Sequence, residues 1–165
     1  GPREAALRAQ VCRPGLQDHV RFHGRVDDAG MQAVLAQCKV SVSVPLSDAT
    51  SVAMLESMAC GLPVLASDLP ANREWLGDNE GLWVPAAGSA ADAAAALAAA
   101  LQALWHDDPR AHRLGQRNLA RIQHDGRRDA QMDAMAAWYK RLLVQAGRAG
   151  RKGLQGSRAT GRGGR

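Results

Sequence analysis

The sequence predicts an α/β fold in which a parallel sheet carries helices on both faces and is followed by further helices. Three observations support this. Short strand-like runs, β-branched at 40, 42 and 44, alternate with stretches of helical periodicity. The helical stretch before the third run closes on Gly61-Leu62-Pro63, a helix stop followed by a strand start. Beyond Pro85 the sequence becomes helical throughout.

Taken in order, residues 4–12 read as a short helix carrying Ala5, Leu7, Ala9 and Val11, and residues 20–23 as the first strand. Asp27 or Asp28 caps a helix whose apolar positions Met31, Val34, Leu35 and Cys38 fall at helical spacing. In the second strand, 40–44, Val40, Val42 and Val44 alternate with Ser41 and Ser43, small residues that let a helix pack close to a sheet. A helix over 51–59 ends at Gly61, and Pro63 starts a third strand running to Ala66. A turn then leads to a fourth strand, 81–84. Ser89 caps an Ala-rich helix with Leu97, Leu101, Leu104 and Trp105 on one face. Ala is the strongest helix former, so this low-complexity run reads as structure. Pro109 opens another helix and Asp129 a third.

At 165 residues the chain is about one domain long, and 46% hydrophobic residues suffice for a core. The formal charge of +5 is unevenly placed: residues 146–165 hold six Arg and Lys and no acid, leaving −1 on the rest. That Gly- and Arg-rich tail lacks the apolar surface to offset its ordering entropy. Residues 147–165 are therefore expected to be disordered, and 1–146 to form the domain. Polybasic composition alone says little, so a solvated extension is favoured over adhesion to anionic lipid or nucleic acid. Cys12, Cys38 and Cys60 fall on predicted helices without metal-type spacing and are expected as reduced thiols of the core. The five His are scattered, His23 reads as a strand-end side chain, and no metal site is expected. No leader and no membrane-spanning run is recognised, so a cytoplasmic location is expected, with peripheral contact at the inner membrane face left open through the tail.

The functional signal is concentrated in residues 47–67, SDATSVAMLESMACGLPVLAS. Asp48 lies in a loop before a helix, and Glu56 lies about a turn and a half inside it. Backbone N–H groups at a helix start have no intrahelical partner and the macrodipole is positive there, so this order builds an anion site. Thr50, Ser51 and Val52 supply the amides, and the two hydroxyls are further donors. The plainer reading is that Asp48, Thr50 or Ser51 only caps the helix and that Glu56 is solvated.

The same run resembles the E-x7-E segment of the retaining GT-B glycosyltransferases of glycosyltransferase family 4, whose members read roughly E-P-F-G-x-x-x-L-E-A-M-A-x-G-x-P-V. Asp48 stands in place of the first Glu and Glu56 in place of the second, and Met58-Ala59-Cys60-Gly61-Leu62-Pro63-Val64 follows in register. Val20-Arg21-Phe22-His23-Gly24-Arg25-Val26 resembles the family's V-x-F-x-G-x-V, and Gly81-Leu82-Trp83-Val84 its G-x-L-V. The resemblance extends from Gly1 to about Leu143 and implies an incomplete Rossmann-like sheet, part of a GT-B C-terminal donor domain. The family's first two strands, its first loop and helix with their Arg and Lys, and the N-terminal acceptor domain are expected to be missing, so the chain alone is expected to be inactive.

The implied catalytic residues are Asp48, which would bond donor-sugar hydroxyls, and Glu56, which would bond the nucleotide ribose. Gly24, Arg25, Val26, Thr50, Ser51, Val52 and Glu56 are the implied donor-binding set, although Gly24, Arg25 and Val26 read equally well as a plain turn. Asn72 and Glu74 are secondary candidates and Trp75 a packing residue. The implied donor is a UDP-, GDP- or ADP-sugar, with no separate cofactor, and the acceptor a glycan, lipid or small-molecule hydroxyl. Two other classes stay open: a non-catalytic nucleotide-sugar-binding module and, disfavoured, a nucleic-acid or membrane binder acting through the tail.

Overall fold

In a computed structural model of the chain, residues 2–12, 15–77 and 82–159 are described, with side chains described as far as residue 145. The chain forms two compact units, Gly1–Gln37 and Cys38–Arg165.

The first unit holds α1 (Glu4–Val11) and α2 (Asp28–Leu35). The Asp27 carboxylate accepts from the Gly30 amide at 2.8 Å, the capping expected from sequence. Residues 20–23 are not a strand, contrary to expectation. Val20 is exposed, and Phe22 receives the Arg8 guanidinium over its ring, 4.5 Å from the centroid. A segment of strand-forming residues becomes a strand only when a neighbour satisfies its backbone groups, and no described segment pairs with this one.

The second unit is built on a three-stranded parallel sheet, β1 (Ser41–Ser43), β2 (Val64–Ser67) and β3 (Trp83–Val84), in spatial order β1-β2-β3. Ser41 pairs with Val64, Val42 with Leu65 and Ser43 with Ala66, while Ala66 pairs with Trp83 and Ser67 with Val84. Parallel pairing demands crossovers, supplied by α3 (Val52–Ala59) and α4 (Pro70–Leu76). The segment 70–76 was expected as a turn. Pro70 at the first helical position pre-sets φ without forfeiting a hydrogen bond, and one short helix forms there.

β2 is buried along its length, and its period-two alternation divides the core. Val64 and Ala66 pack with Met54, Met58 and Leu76 on the face covered by α3 and α4. Leu65 packs with Leu82, with Leu104 of α5 (Ala90–Trp105), and with Ala111 and Leu114 of α6 (Asp108–Asp125) on the other. Helices thus cover both faces, as expected. Ser51, Ser89 and Asp107 each accept the backbone N–H three residues on, marking the starts of α3, α5 and α6. Trp105, expected on the apolar face of α5, is instead 63% exposed, with the Lys39 ammonium 4.9 Å from its ring centroid.

α3 ends as predicted. Gly61 has φ +71°, its N–H donates to Met58 O, and Leu62 N–H reaches back to Ser57 O, the paired bonds of a Schellman stop. α6 then presses on this turn: Asn118, 1% exposed, donates Nδ2 to Leu62 O at 2.9 Å, and Gly115 abuts the Gly61 carbonyl.

α7 spans Arg128–Ala159, so the backbone of residues 147–159 continues a helix where composition predicts disorder. Extending a formed helix costs less than nucleating one, and the tail's Arg, Lys, Ala, Leu and Gln are good formers despite its glycines. Residues 160–165 lie outside the described residues. The three cysteines are exposed and in no disulfide, not in the core. Cys12 and Cys60 sit at helix C-caps and Cys38 beyond α2, where the chain turns toward solvent.

Candidate functional site

Ligands in parallel α/β folds sit outside the carboxyl ends of the strands. In the second unit those ends are Ser43, Ser67 and Val84. Beyond them lies a cavity of about 150 Å³, lined by Val44 and Leu46, Ser67, Val84 and Pro85, and Leu97 of α5. The β1–α3 connection that forms one wall carries Asp48, Thr50 and Ser51 directly into the start of α3.

Why this connection ends where it does is clear from β1. The small-residue face of the strand lies against α3, as the Val/Ser alternation predicts. Ser41 Oγ is 2.7 Å from Ser57 Oγ, and since Ser57 gives its own proton to Ala53 O at 2.8 Å, Ser41 is the donor. Ser43 Oγ donates to Ser51 Oγ at 3.3 Å, and Ser51 Oγ also accepts from Met54 N–H at the same distance. Two hydroxyl bridges therefore fix α3 along β1. Ser41 and Ser43 read as spacers only in the sequence; the hydroxyls at positions 41, 43 and 57 were the missed signal.

At the N-terminus of α3 the Met54 amide is taken by Ser51, while the amides of Val52 and Ala53 have no partner among the described residues. Val52 is 67% exposed, so these donors face open space. Met54, Ser57 and Met58 are the buried stripe of the helix. Glu56, one turn after Val52, lies on the exposed side, not beside a buried helix start as the apolar neighbours Leu55 and Met58 suggest. Asp48 is exposed as well, and neither carboxylate has a hydrogen-bond partner among the described residues. Helix capping falls to Ser51 and not to Asp48 or Thr50, whose hydroxyl bonds Ala49 O at 2.8 Å.

Gly24, Arg25 and Val26 belong to the first unit. Gly24 has φ +68° with nothing within 4 Å of where a Cβ would stand, so the turn, and not a close approach, calls for glycine. Arg25 lines an open concavity of about 810 Å³ with Arg3, Leu7, Arg21, Phe22 and His23.

Beyond β2, Arg73 grips Asp68 through Nε at 2.5 Å and Nη2 at 2.8 Å and stacks on Trp83, 5.0 Å from the centroid. The Arg73 hydrogen bonds hold the Asp68 carboxyl below its usual range, against an opposing effect of desolvation. Asn72 is fully buried, donating Nδ2 to Ser67 O at 2.8 Å, which makes it a strap on β2. Glu74 is exposed and Trp75 packs on the core, the latter as expected. Among the described residues no cluster of His, Cys, Asp or Glu has metal-binding geometry, and no helix is long and apolar enough to cross a membrane.

These features define an α/β domain of Rossmann-like kind, with a parallel sheet whose carboxyl edge leads into an uncapped pair of helix amides. The chain belongs to the family described as glycosyl transferases group 1, whose sequence model matches residues 1–107. It is 43% identical over 107 residues to a phosphatidyl-myo-inositol mannosyltransferase of Mycobacterium leprae, covering 64% of this chain and 27% of that protein. It is 37% identical to the enzyme of the same name from Mycolicibacterium smegmatis over 107 residues, 64% of this chain and 26% of that one. The Mycobacterium tuberculosis protein of that name is 39% identical over 75 residues, 45% of this chain and 19% of its own length. The chain therefore spans about a quarter of the length of the first two of these relatives and about a fifth of the third.

Proposed function

We propose that this chain forms the donor-binding part of a retaining glycosyltransferase that transfers a sugar from a nucleoside diphosphate to a hydroxyl acceptor. The observation that carries the reading is the pair of unpartnered amides at Val52 and Ala53, exposed at the start of a helix that follows a parallel strand. A diphosphate seated there receives two N–H bonds in the positive end of the helix dipole, without a metal ion. Ser51 and Thr50 add hydroxyls. Glu56, one turn on and solvent-facing, accepts hydrogen bonds from ribose hydroxyls, and Asp48 accepts from the sugar. Catalysis of this kind works by orienting the sugar and stabilising the leaving diphosphate, so no general base is needed on this chain.

The relatives' names support mannose as the sugar and an inositol phospholipid as the acceptor, to be tested beside other hexoses and soluble glycans. The nucleotide is UDP, GDP or ADP. Isothermal titration of the folded chain with each diphosphate tests the reading: one of them binds, and Glu56→Ala weakens it by about 1–3 kcal/mol, as expected for lost hydrogen bonds to a charged group. Binding by none of the three refutes it. A non-catalytic nucleotide-sugar-binding module gives the same binding without transfer in the longest natural polypeptide that contains this chain.

A further inference from the structure

We propose that Ser43, the last residue of β1, is a positioning residue for the diphosphate: it sets the Ser51 hydroxyl so that its proton is presented beside the amides of Val52 and Ala53. The inference rests on the donor-site reading above and adds to it a residue that touches no ligand itself. A serine hydroxyl has one proton to give and two lone pairs to fill. On Ser51 Oγ both lone pairs are taken, one by the Ser43 hydroxyl and one by the Met54 amide, each at 3.3 Å. The Ser51 proton is what remains, and no described residue accepts it.

Two donors make the difference between a free rotor and a fixed one. A hydroxyl proton has three staggered positions about its Cβ–Oγ bond. The Met54 amide closes one of them, leaving two, and Ser43 closes the second, leaving a single direction that leads away from both donors. Ser43 is itself well anchored, since it is half-buried and pairs with Ala66 of the fully buried strand β2. Its hydrogen bond also polarises the Ser51 O–H and so strengthens it as a donor. Ser51 is half-buried and Val52 beside it is 67% exposed, so an anion arriving in front of α3 meets a proton already in place and no reorganisation is needed to receive it.

The test is titration of the full chain with UDP, GDP and ADP in the parent, in Ser43→Ala, and in Ser43→Thr and Ser43→Val, two side chains of one shape that differ by the hydroxyl and both suit a strand. For the diphosphate that the parent binds, Ser43→Ala binds roughly threefold to tenfold more weakly, a part of what deleting a hydrogen bond to a charged group costs, and Ser43→Thr binds more tightly than Ser43→Val by a similar factor. Ser51→Gly keeps a serviceable cap but has no hydroxyl to orient, so adding Ser43→Ala to it causes no further loss. Thermal melts on the same samples show that each variant is folded. Parent-like affinity in Ser43→Ala, or Ser43→Thr no tighter than Ser43→Val, overturns the proposal. So does an equal loss from Ser43→Ala with Ser51 present or replaced, which assigns Ser43 to the fold alone. The parent tells this failure from that of the donor-site reading: a folded parent that binds none of the three nucleotides overturns both.

Discussion

Gly115→Ala probes how closely α6 must approach the end of α3. A Cβ at position 115 would stand 2.0 Å from Gly61 O and 3.0 Å from Gly61 C, both backbone atoms with no rotamer to escape into. Restoring the 3.4 Å of ordinary contact requires α6 to withdraw by about 1.4 Å, the difference between those two distances. That withdrawal breaks the 2.9 Å bond from Asn118 Nδ2 to Leu62 O, with Asn118 buried. Overpacking costs about 1–3 kcal/mol and the lost buried hydrogen bond about 1–3 kcal/mol, offset by about 1 kcal/mol of improved helix propensity, for a net loss near ~3 kcal/mol. Urea unfolding measures it as a lower midpoint at unchanged slope. Asn118→Ala, run beside it, isolates the hydrogen-bond share. A Gly115→Ala protein as stable as the parent, or more stable as propensity alone predicts, refutes the close contact and with it this account of how α3 is held.

Three further outcomes follow from the site. Ser51→Ala should cost about 0.5–2 kcal/mol of stability through the lost cap, whereas Ser51→Asp should keep the cap and stability but repel a diphosphate, a separation visible by comparing thermal melts with nucleotide titrations. Asp48→Asn should leave melting unchanged, since Ser51 does the capping, yet weaken a sugar nucleotide more than the bare nucleoside diphosphate; equal weakening of both would place Asp48 outside the sugar site. The depressed Asp68 carboxyl contributes stability present above the unfolded-state value of 3.8 and lost as pH falls through its lower folded-state value. Arg73→Met should therefore flatten the acid limb of the stability curve, and an unchanged limb would show the pair to be without consequence.

Helix starts were legible because a cap is a local device: Asp27, Ser51 and Ser89 each bond an amide three residues on, and Gly61 stops α3 with a conformation few other residues adopt. Strands were legible only where partners exist. Residues 40–44 and 63–66 pair with each other and fold close to their predicted bounds; residues 20–23 carry an equally good pattern and remain unpaired, because pairing is not a property of the segment itself. Helix α4 was hidden by Pro70, which reads as a turn residue when followed by so short a helix. Burial was the least legible quantity. The cysteines were placed by residue type on predicted helices and Glu56 by its apolar neighbours in sequence, but helical phase turns Glu56 and Cys60 away from Met54 and Met58.

The central claim is that the amides of Val52 and Ala53 receive a diphosphate, and amide chemical shifts observe those two groups directly. Titrating UDP, GDP and ADP separately into the isotope-labelled chain should move the Val52 and Ala53 N–H resonances with one of the three, in a saturable manner that Glu56→Ala weakens and Ser51→Asp abolishes. Shifts confined to residues away from the α3 N-terminus, or no shift with any of the three nucleotides in a folded sample, would contradict it.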